Sequence, residues 1–242
     1  GTNNGLYLYT DNGITWTSGK LGKLESDIAC LTVVGPNIYA GTNREGIYLS
    51  TDNGISWKLA NNGLKIFNDI ESYVSSIVSI GTNIYAGTSN GIFVSTNNGQ
   101  KWSSVNSSLK DWHVRRMAVM DQTLFVSFWE YGMSMSTDNG KSWKSISAGL
   151  PEIMPDYLVV NGQNLYAGIY DQGVFLTTNN GESWKSVNLG LKEDISGLAT
   201  LGYNIYAGTL NEGVFVSTNN GMSWEQANSD IKEKNIMCLA VN

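Results

Sequence analysis

Short apolar runs separated by turn residues recur along the whole chain. In one copy, Ile28-Ala29-Cys30-Leu31-Thr32-Val33-Val34 is a mostly apolar run, and Gly35-Pro36-Asn37 follows it as a turn. Further runs at 37–41 and 46–50 precede an Asp52-Asn53-Gly54 turn and a short outer segment that starts near Trp57. Runs this short and this continuous are typical of strands that are covered on both faces. The pattern therefore predicts four-stranded sheets stacked face to face.

One phrase, Asp/Asn-Asn-Gly-x-x-Trp, occurs six times and gives the repeat its period. Its tryptophans are spaced 40 to 45 residues apart, at Trp16, Trp57, Trp102, Trp143, Trp184 and Trp224. This period is the length of a propeller blade. We predict an all-β fold, a single six-bladed β-propeller domain over 1–242. The predicted repeats are 1–26 plus 235–242, 27–72, 73–112, 113–154, 155–193 and 194–234.

The closing blade is predicted to share strands from both ends of the chain. Residues 235–242 align with the inner strand 194–201, and Gly1-Thr2 aligns with Gly208-Thr209. From Trp224 around to Trp16 the chain is about six residues short of a full period, which matches the second strand of the other copies. We expect this blade to lack one strand, or the chain to be cut from a longer polypeptide. The gap would expose edge amides that a partner strand or a neighbouring chain could pair.

The repeated phrase has a mechanical explanation. Its Asp or Asn accepts hydrogen bonds from nearby amides, expected one or two residues later, and its glycine takes a positive φ. The tryptophan is large enough to fill the space between neighbouring blades. Three copies carry Asp and three carry Asn at the first position. A turn that needs one acceptor oxygen tolerates this exchange, whereas a metal site or a catalytic carboxylate would not.

The composition argues against several classes of function. The net charge is −6 and the chain has three arginines, Arg44, Arg115 and Arg116. Without a basic stripe, neither nucleic acid nor an anionic membrane is an expected partner. No run approaches the ~20 apolar residues of a membrane helix. No motif predicts a metal or a cofactor.

Cysteine usage leaves the compartment open. Cys30 and Cys238 fall at the same register of copies that would be ring neighbours. Equivalent positions on neighbouring blades tend to lie farther apart than the ~4.4–6.8 Å that a disulfide requires, so two small buried residues are favoured over a disulfide that closes the ring. The Asn-, Ser-, Thr- and Gly-rich, lysine-poor composition favours a secreted or periplasmic bacterial protein. The chain begins within a repeat and shows no signal peptide.

The phrase Ser50-Thr51-Asp52-Asn53-Gly54-Ile55-Ser56-Trp57 resembles the Asp-box, or bacterial neuraminidase repeat. Asp-box propellers include sialidases, xyloglucanases and sortilin-type receptors. The Asn-Ile-Tyr-Ala-Gly-Thr phrase beside each box is most similar to proteins related to the photosystem II stability/assembly factor. Sialidases bind a carboxylate with three arginines from different blades, whereas Arg115 and Arg116 share one strand here, so sialidase activity is not expected. The arginine patch of the assembly factor is not evident either, and its partner is not transferred.

Function is expected where the copies differ, because binding residues collect on variable loops of rigid scaffolds. The fourth and fifth copies place aromatics beside carboxylates between their second and third strands, and blade four adds the single histidine. The loops that join blades and the loops between second and third strands are predicted to share one face of the ring, which we call the variable face. These positions predict a non-catalytic site for a protein segment or a glycan on that face. The predicted ligand-binding residues are Trp112, His113, Arg116, Trp129, Glu130, Tyr131, Tyr157, Tyr170 and Asp171.

Alternatives stay open at the level of sequence, both for single residues and for the function. Trp129 is also explained as a filler for volume lost at Ser134, and His113 as a loop hydrogen-bonding residue. Of Arg115 and Arg116, one is expected to line the channel and the other to pair with an acid such as Glu130. The function itself has two alternatives. Glu130, Asp156 and Asp171 could include the carboxyl pair of a carbohydrate hydrolase, or the chain could be a structural module of a larger surface or envelope assembly.

Overall fold

The structure is a computed structural model that describes 6–8, 15, 17, 18, 27–65, 72–105, 109, 112–129, 131–152, 154–191, 194–229, 231, 232 and 234–239. Within these residues every regular element is a β-strand. They contain no helix long and apolar enough to cross a membrane. They also contain no group of three or more His, Cys, Asp or Glu side chains arranged to hold a metal ion.

The described strands form five four-stranded antiparallel sheets and one two-stranded pair, each sheet ordered as along the chain. The pair is β1 (Tyr7–Leu8) and β2 (Thr17–Ser18). Sheet I is β3 (Ile28–Val34), β4 (Asn37–Thr42), β5 (Ile47–Ser50) and β6 (Lys58–Leu59). Sheet II is β7 (Val74–Ile80), β8 (Asn83–Thr88), β9 (Gly91–Ser95) and β10 (Ser103–Ser104). Sheet III is β11 (Val114–Met120), β12 (Thr123–Phe128), β13 (Gly132–Ser136) and β14 (Lys144–Ser145). Sheet IV is β15 (Tyr157–Asn161), β16 (Asn164–Ile169), β17 (Gly173–Thr177) and β18 (Lys185–Ser186). Sheet V is β19 (Ile195–Leu201), β20 (Asn204–Thr209), β21 (Val214–Ser217) and β22 (Glu225–Gln226).

The all-β propeller architecture predicted from the repeat is confirmed by these stacked sheets. The sixth blade and the repeat boundaries stay predictions, because most of 1–26 and 240–242 lies outside the described residues.

Apolar clusters fill the space between neighbouring sheets, which we call a seam. Each of four seams contains the aromatic residue of one second strand, packed against the inner and second strands of the next sheet. These aromatics are Tyr39, Tyr85, Phe125 and Tyr166, and all four are fully buried. Burying one such side chain stabilises the fold by roughly 1.5–3 kcal/mol. No sheet could bury its own two faces alone, so stability depends on neighbours.

The tryptophans of the repeated phrase tie the outer parts of the sheets together. The Trp102 indole donates to Ala60 O at 2.8 Å, across the seam between sheets I and II. Trp143, Trp184 and Trp224 each donate in the same way to the preceding sheet. Trp57 instead donates to Gly54 O of its own turn. The predicted role of the tryptophans between blades is confirmed at these four seams.

The turn of the repeated phrase differs from the prediction in the amide that donates to its Asp. Asp52 Oδ1 accepts from the amide of Ser56, four residues later, and not from an amide one or two residues later. The buried Ser50 hydroxyl donates to Asp52 and accepts from the Gly54 amide at 2.8 Å. The left-handed conformation is shared by Asn53 and Gly54, with φ of 56° and 84°. A hydroxyl residue two positions before the Asp or Asn, which is Thr177 in sheet IV, is therefore part of the turn.

The exchange of Asp for Asn at this position has a simple geometric basis. Ser142 donates its hydroxyl hydrogen to Asp138 at 2.6 Å. In the equivalent turn the Asn179 amide donates to the Ser183 hydroxyl at 3.0 Å. The serine hydroxyl can donate or accept, so the hydrogen bond reverses direction and the turn is kept.

Both described cysteines are free thiols, as expected. The Cys30 thiol donates to Val74 O at 3.5 Å across a seam, and desolvation raises its pKa to about 12. Cys238 is exposed.

We predict that Ser95→Ala destabilises the protein by about 1–3 kcal/mol, because it leaves the buried Gly99 amide without its acceptor. The free energy of unfolding in urea measures the loss. Thr96→Ala, at an exposed neighbour, is the control and should change stability by less than about 0.5 kcal/mol. Equal losses in both variants would contradict this role of the serine hydroxyl.

We predict that Asp138→Asn folds normally but loses part of the acid sensitivity of the protein. Hydrogen bonds from Ser142 and Ser136 lower the pKa of Asp138 to about 2, below the ~3.9 of an unfolded Asp. The carboxylate therefore adds stability above about pH 4, and this contribution is lost as the pH falls towards 2. Urea unfolding at several pH values measures the difference. Asn179→Asp should gain the pH dependence of stability that Asp138→Asn loses. If the free energy of unfolding depends on pH in both variants as it does in the wild type, the prediction is wrong.

Candidate functional site

Two adjoining clefts open on the variable face. The larger cleft has a volume of about 490 Å³ and is lined by Arg115, Trp129, Glu152, Met154, Asp156, Tyr157, Tyr170, Ile195, Ser196 and Leu210. The smaller, of about 430 Å³, is lined by Ala29, Asn43, Tyr73, Ser75, Arg115, Arg116 and Trp129. Both clefts draw on loops between sheets and on loops between second and third strands. The two kinds of loop predicted to share a face therefore build the site together.

A β-bulge recurs near the start of four inner strands and delivers side chains to the clefts. The register shifts between Ile28 and Cys30 in sheet I, and at the same place in sheets II, III and V. A bulge leaves one residue unpaired and changes the direction of its side chain. The four bulged residues line one or both clefts: Ala29, Ser75, Arg115 and Ser196.

Arg115 forms the centre of the site. Its guanidinium forms an ion pair with Asp156 and lies over the Trp129 ring, 3.8 Å from the ring centroid. Burial lowers the pKa of Arg115, and the neighbouring charge of Arg116 lowers it further. The acid that pairs with the arginine is therefore Asp156, whereas Glu130 lies outside the described residues.

Trp129 presents a flat apolar surface beside the larger cleft. It follows directly after β12, and its amide donates to His113 O at 3.0 Å. The side chain is 52% exposed and rests against Arg115. The interpretation of Trp129 as a filler for the space at Ser134 is therefore wrong.

Asp156 connects the two aromatic sides of the cleft. The residue is only 8% exposed, and its Oδ2 accepts from the Tyr170 amide at 3.2 Å. Its own amide donates to Gly168 O at 2.9 Å. Tyr170 is 51% exposed and faces the same cleft as Trp129. One partly buried acid thus positions Tyr170 through its backbone and Trp129 through Arg115.

Arg116 and Tyr157 occupy the same register in sheets III and IV. The guanidinium lies 5.8 Å from the Tyr157 ring centroid. It also donates to two backbone carbonyls, Ser75 O at 3.3 Å and Arg115 O at 2.9 Å. These two predicted residues therefore meet at the boundary between the clefts.

Trp112 and Tyr131 form a separate aromatic group. Their rings are stacked, with centroids 4.2 Å apart and planes 15° apart, and the Trp112 ring meets Phe128 edge-on. His113 meets Tyr73 edge-on at 6.3 Å. None of Trp112, Tyr131 and His113 lines either cleft. The indole nitrogen of Trp112 is buried without a hydrogen-bond partner.

Asp171 belongs to a turn rather than to a cleft. It is exposed, adopts a φ of 60° and does not line either cleft. Asp tolerates this left-handed conformation better than most residues, which explains its presence between β16 and β17.

Ser196 was missed by sequence reasoning. It is 5% exposed, lines the larger cleft, and its hydroxyl has no hydrogen-bond partner. The equivalent position in the other copies holds Ala29, Ser75 and Arg115, and this variation is the signal that would have revealed it. A buried hydroxyl of this kind can bind a polar group of a ligand.

We predict that Arg115→Met and Asp156→Asn each destabilise the protein by about 2 kcal/mol or more, because each leaves the other charge partly buried and unpaired. The double variant should lose less than the sum of the two, which urea unfolding of all four proteins measures. The exposed pair Lys144–Glu182 provides the matched control, and its removal should cost less than about 1 kcal/mol. Additive losses at Arg115 and Asp156 would show that the pair is not coupled.

Comparison with known proteins supports the repeat and the fold. The family model for the BNR/Asp-box repeat matches residues 48–59. No curated protein matches the chain.

Several solved structures are similar over most of the chain. The extracellular domain of the putative one component system BT4673 from B. thetaiotaomicron aligns with a TM-score of 0.76 and 15% identity, over 99% of this chain and 33% of that one. The GH74 xyloglucanase from Xanthomonas campestris aligns with a TM-score of 0.66 and 15% identity, over 83% of this chain and 38% of that one.

YCF48, in a structure bound to D1 peptide, aligns with a TM-score of 0.70 and 15% identity, over 97% of this chain and 78% of that one. This chain spans about a third of the length of the BT4673 chain and of the xyloglucanase chain. At these identities the likeness establishes the fold alone. The chain is an all-β propeller that carries the BNR/Asp-box repeat.

Proposed function

We propose that this protein is a non-catalytic binding propeller that recognises a protein segment or a glycan through the larger cleft. The observation that carries the proposal is that Trp129 and Tyr170, each about half exposed, face one cleft and are held by a single ion pair. Exposed, rigidly held aromatic rings are favourable binding surfaces, because little conformational entropy is lost when a ligand covers them.

Polar groups around the aromatics would fix the orientation of the ligand. Ser196 offers an unpaired hydroxyl inside the cleft, and Glu152 adds an exposed carboxylate at its edge. Arg116 lies in the adjoining cleft, beside Tyr157. An extended ligand that covers Trp129 would reach both clefts. The remaining predicted residues are proposed to contribute only where such a ligand extends beyond the two clefts. They are Trp112, Tyr131, His113 and Asp171.

The contacts made by the two carboxylate oxygens of Asp156 favour non-catalytic binding. Its Oδ1 is engaged by Arg115 and its Oδ2 by the Tyr170 amide. Both oxygens are therefore engaged within the protein, whereas glycoside hydrolysis uses one carboxylic acid to protonate the leaving oxygen and a second carboxylate as base or nucleophile. The structure of YCF48 bound to D1 peptide provides a precedent within this fold for binding a peptide.

A carbohydrate hydrolase is the second candidate, supported by the likeness to GH74 enzymes and by Glu152 in the cleft. If the wild-type protein releases reducing ends from xyloglucan and Glu152→Gln does not, hydrolysis replaces the binding proposal.

We also infer an extracellular or periplasmic location, which the composition favours and which the extracellular BT4673 domain supports.

We predict that Trp129→Ala and Tyr170→Ala weaken ligand binding by roughly tenfold or more, the effect of removing a central aromatic contact. An array of immobilised peptides and an array of oligosaccharides, probed with the same labelled protein, identify the ligand and the affected spots. The melting temperature should stay nearly unchanged, because both side chains are half exposed. Loss of folding in either variant would indicate a packing role instead.

Tyr203→Ala is the matched control for these variants. Tyr203 is 88% exposed and lies in the turn between β19 and β20, away from both clefts. Its removal should leave binding to every array spot unchanged. A signal lost equally in all three variants would count against the cleft as the binding site.

A further inference from the structure

The larger cleft keeps one negative charge without a partner. The charged side chains that line it are Arg115, Asp156 and Glu152. Arg115 and Asp156 form an ion pair, so their charges cancel. Glu152 is exposed and forms no ion pair with any residue that the structure describes. A ligand in this cleft therefore meets an uncompensated carboxylate.

The smaller cleft keeps one positive charge. Its charged lining residues are Arg115 and Arg116, and Arg115 is already neutralised by Asp156. Arg116 is half-buried, and it contacts two backbone carbonyls through Nη1 and the ring of Tyr157. Across the described part of the chain no acid pairs with its guanidinium. Because a guanidinium has five N–H donors, Arg116 retains donors for a ligand.

The two unpaired charges lie in clefts that meet at one aromatic ring. Trp129 lines both clefts, whereas Glu152 lines the larger one and Arg116 lines the smaller one. The Trp129 side chain is 52% exposed. A ligand that covers this ring and extends into both clefts therefore meets a carboxylate in one cleft and a guanidinium in the other.

This arrangement discriminates between classes of ligand. An uncharged oligosaccharide would remove water from the half-buried Arg116 without supplying an opposite charge, which is unfavourable. An oligosaccharide that carries only acidic groups would pair with Arg116 but leave Glu152 without a partner. A protein segment can supply both signs of charge within a few residues, together with an apolar side chain to cover Trp129. Charge complementarity therefore favours a protein segment.

We propose that the two clefts together bind an extended peptide segment that carries a basic side chain, an apolar residue and an acidic side chain in succession. The basic side chain would enter the larger cleft, with its stem along Tyr170 and its charge at Glu152. The acidic side chain would enter the smaller cleft and accept hydrogen bonds from Arg116. The apolar residue would cover Trp129. This inference rests on the proposed binding function and narrows its ligand to a protein segment.

The test selects ligands without assuming their sequence. A phage-displayed library of random linear peptides is first depleted on the Trp129→Ala variant and then selected on the immobilised 242-residue chain. We expect the selected peptides to share a Lys or Arg and an Asp or Glu at a constant spacing, with an apolar residue between them. The affinity of the best synthetic peptide should fall as the salt concentration rises, because partly exposed ion pairs are screened.

Charge variants of the protein and of the peptide assign each contact. Glu152→Gln should weaken binding about twofold to fivefold, the effect of an exposed ion pair. Arg116→Gln should weaken binding roughly tenfold, because its guanidinium is half-buried. Neither variant should weaken binding further when the matching charge of the peptide is replaced by Gln. The peptide variants also report on each contact in the unaltered protein, so the test does not depend on the folding of Arg116→Gln.

Glu225→Gln and Lys58→Gln are the matched controls. Each removes the same sign of charge at an exposed position that lines neither cleft, and each should bind the peptide like the wild type.

The outcomes separate this inference from the proposed function. Trp129-dependent ligands without the two charges, whether peptides or oligosaccharides, would overturn the inference and leave the binding function intact. The absence of any Trp129-dependent ligand would overturn both. The inference is also wrong if the selected peptide binds equally well after each of its charges is replaced by Gln.

Discussion

The fold depends on one constraint, that each sheet has two apolar faces and can cover neither alone. Two contacts meet this constraint at each well-formed seam. A second-strand aromatic such as Tyr85 fills the middle of the seam, and an indole such as Trp143 donates a hydrogen bond to the preceding sheet near its outer edge. Burial stabilises the stack, while the hydrogen bond fixes how far each sheet is displaced relative to the next.

Sequence reasoning predicts this part of the protein well because it repeats. The apolar runs, the turn phrase and the tryptophan spacing each recur, so one interpretation is tested several times within one chain. The turn itself was understood less fully. The acceptor role of Asp52 towards an amide four residues later, and the contribution of Ser50, depend on backbone conformation rather than on residue type alone.

The site is less predictable, because it depends on contacts between residues that do not repeat. Trp129, Tyr157 and Tyr170 were identified from divergence between copies, and they line the larger cleft. The ion pair of Arg115 with Asp156 was not predicted, since a bulge changes the direction of the arginine and no sequence pattern reveals that bulge. Ser196 lies at the equivalent bulge and was missed as well, although the variation between copies at this position would have revealed it. Trp112 and Tyr131 diverge as clearly, yet they stack on each other away from the clefts.

The bulge explains how one scaffold can change its specificity. Its residue is unpaired in the register of the sheet, so the repeat does not fix its side chain and the residue can differ between sheets. The four sheets that carry the bulge accordingly hold a methyl group, two hydroxyls and a guanidinium at this one position: Ala29, Ser75, Ser196 and Arg115. Seam residues such as Tyr39 and Tyr166 vary little, because their volume is fixed by two sheets at once. The surface of the clefts can therefore change at the bulged residues while the seam aromatics keep their volume, although Ser75 and Arg115 also bond to the next sheet.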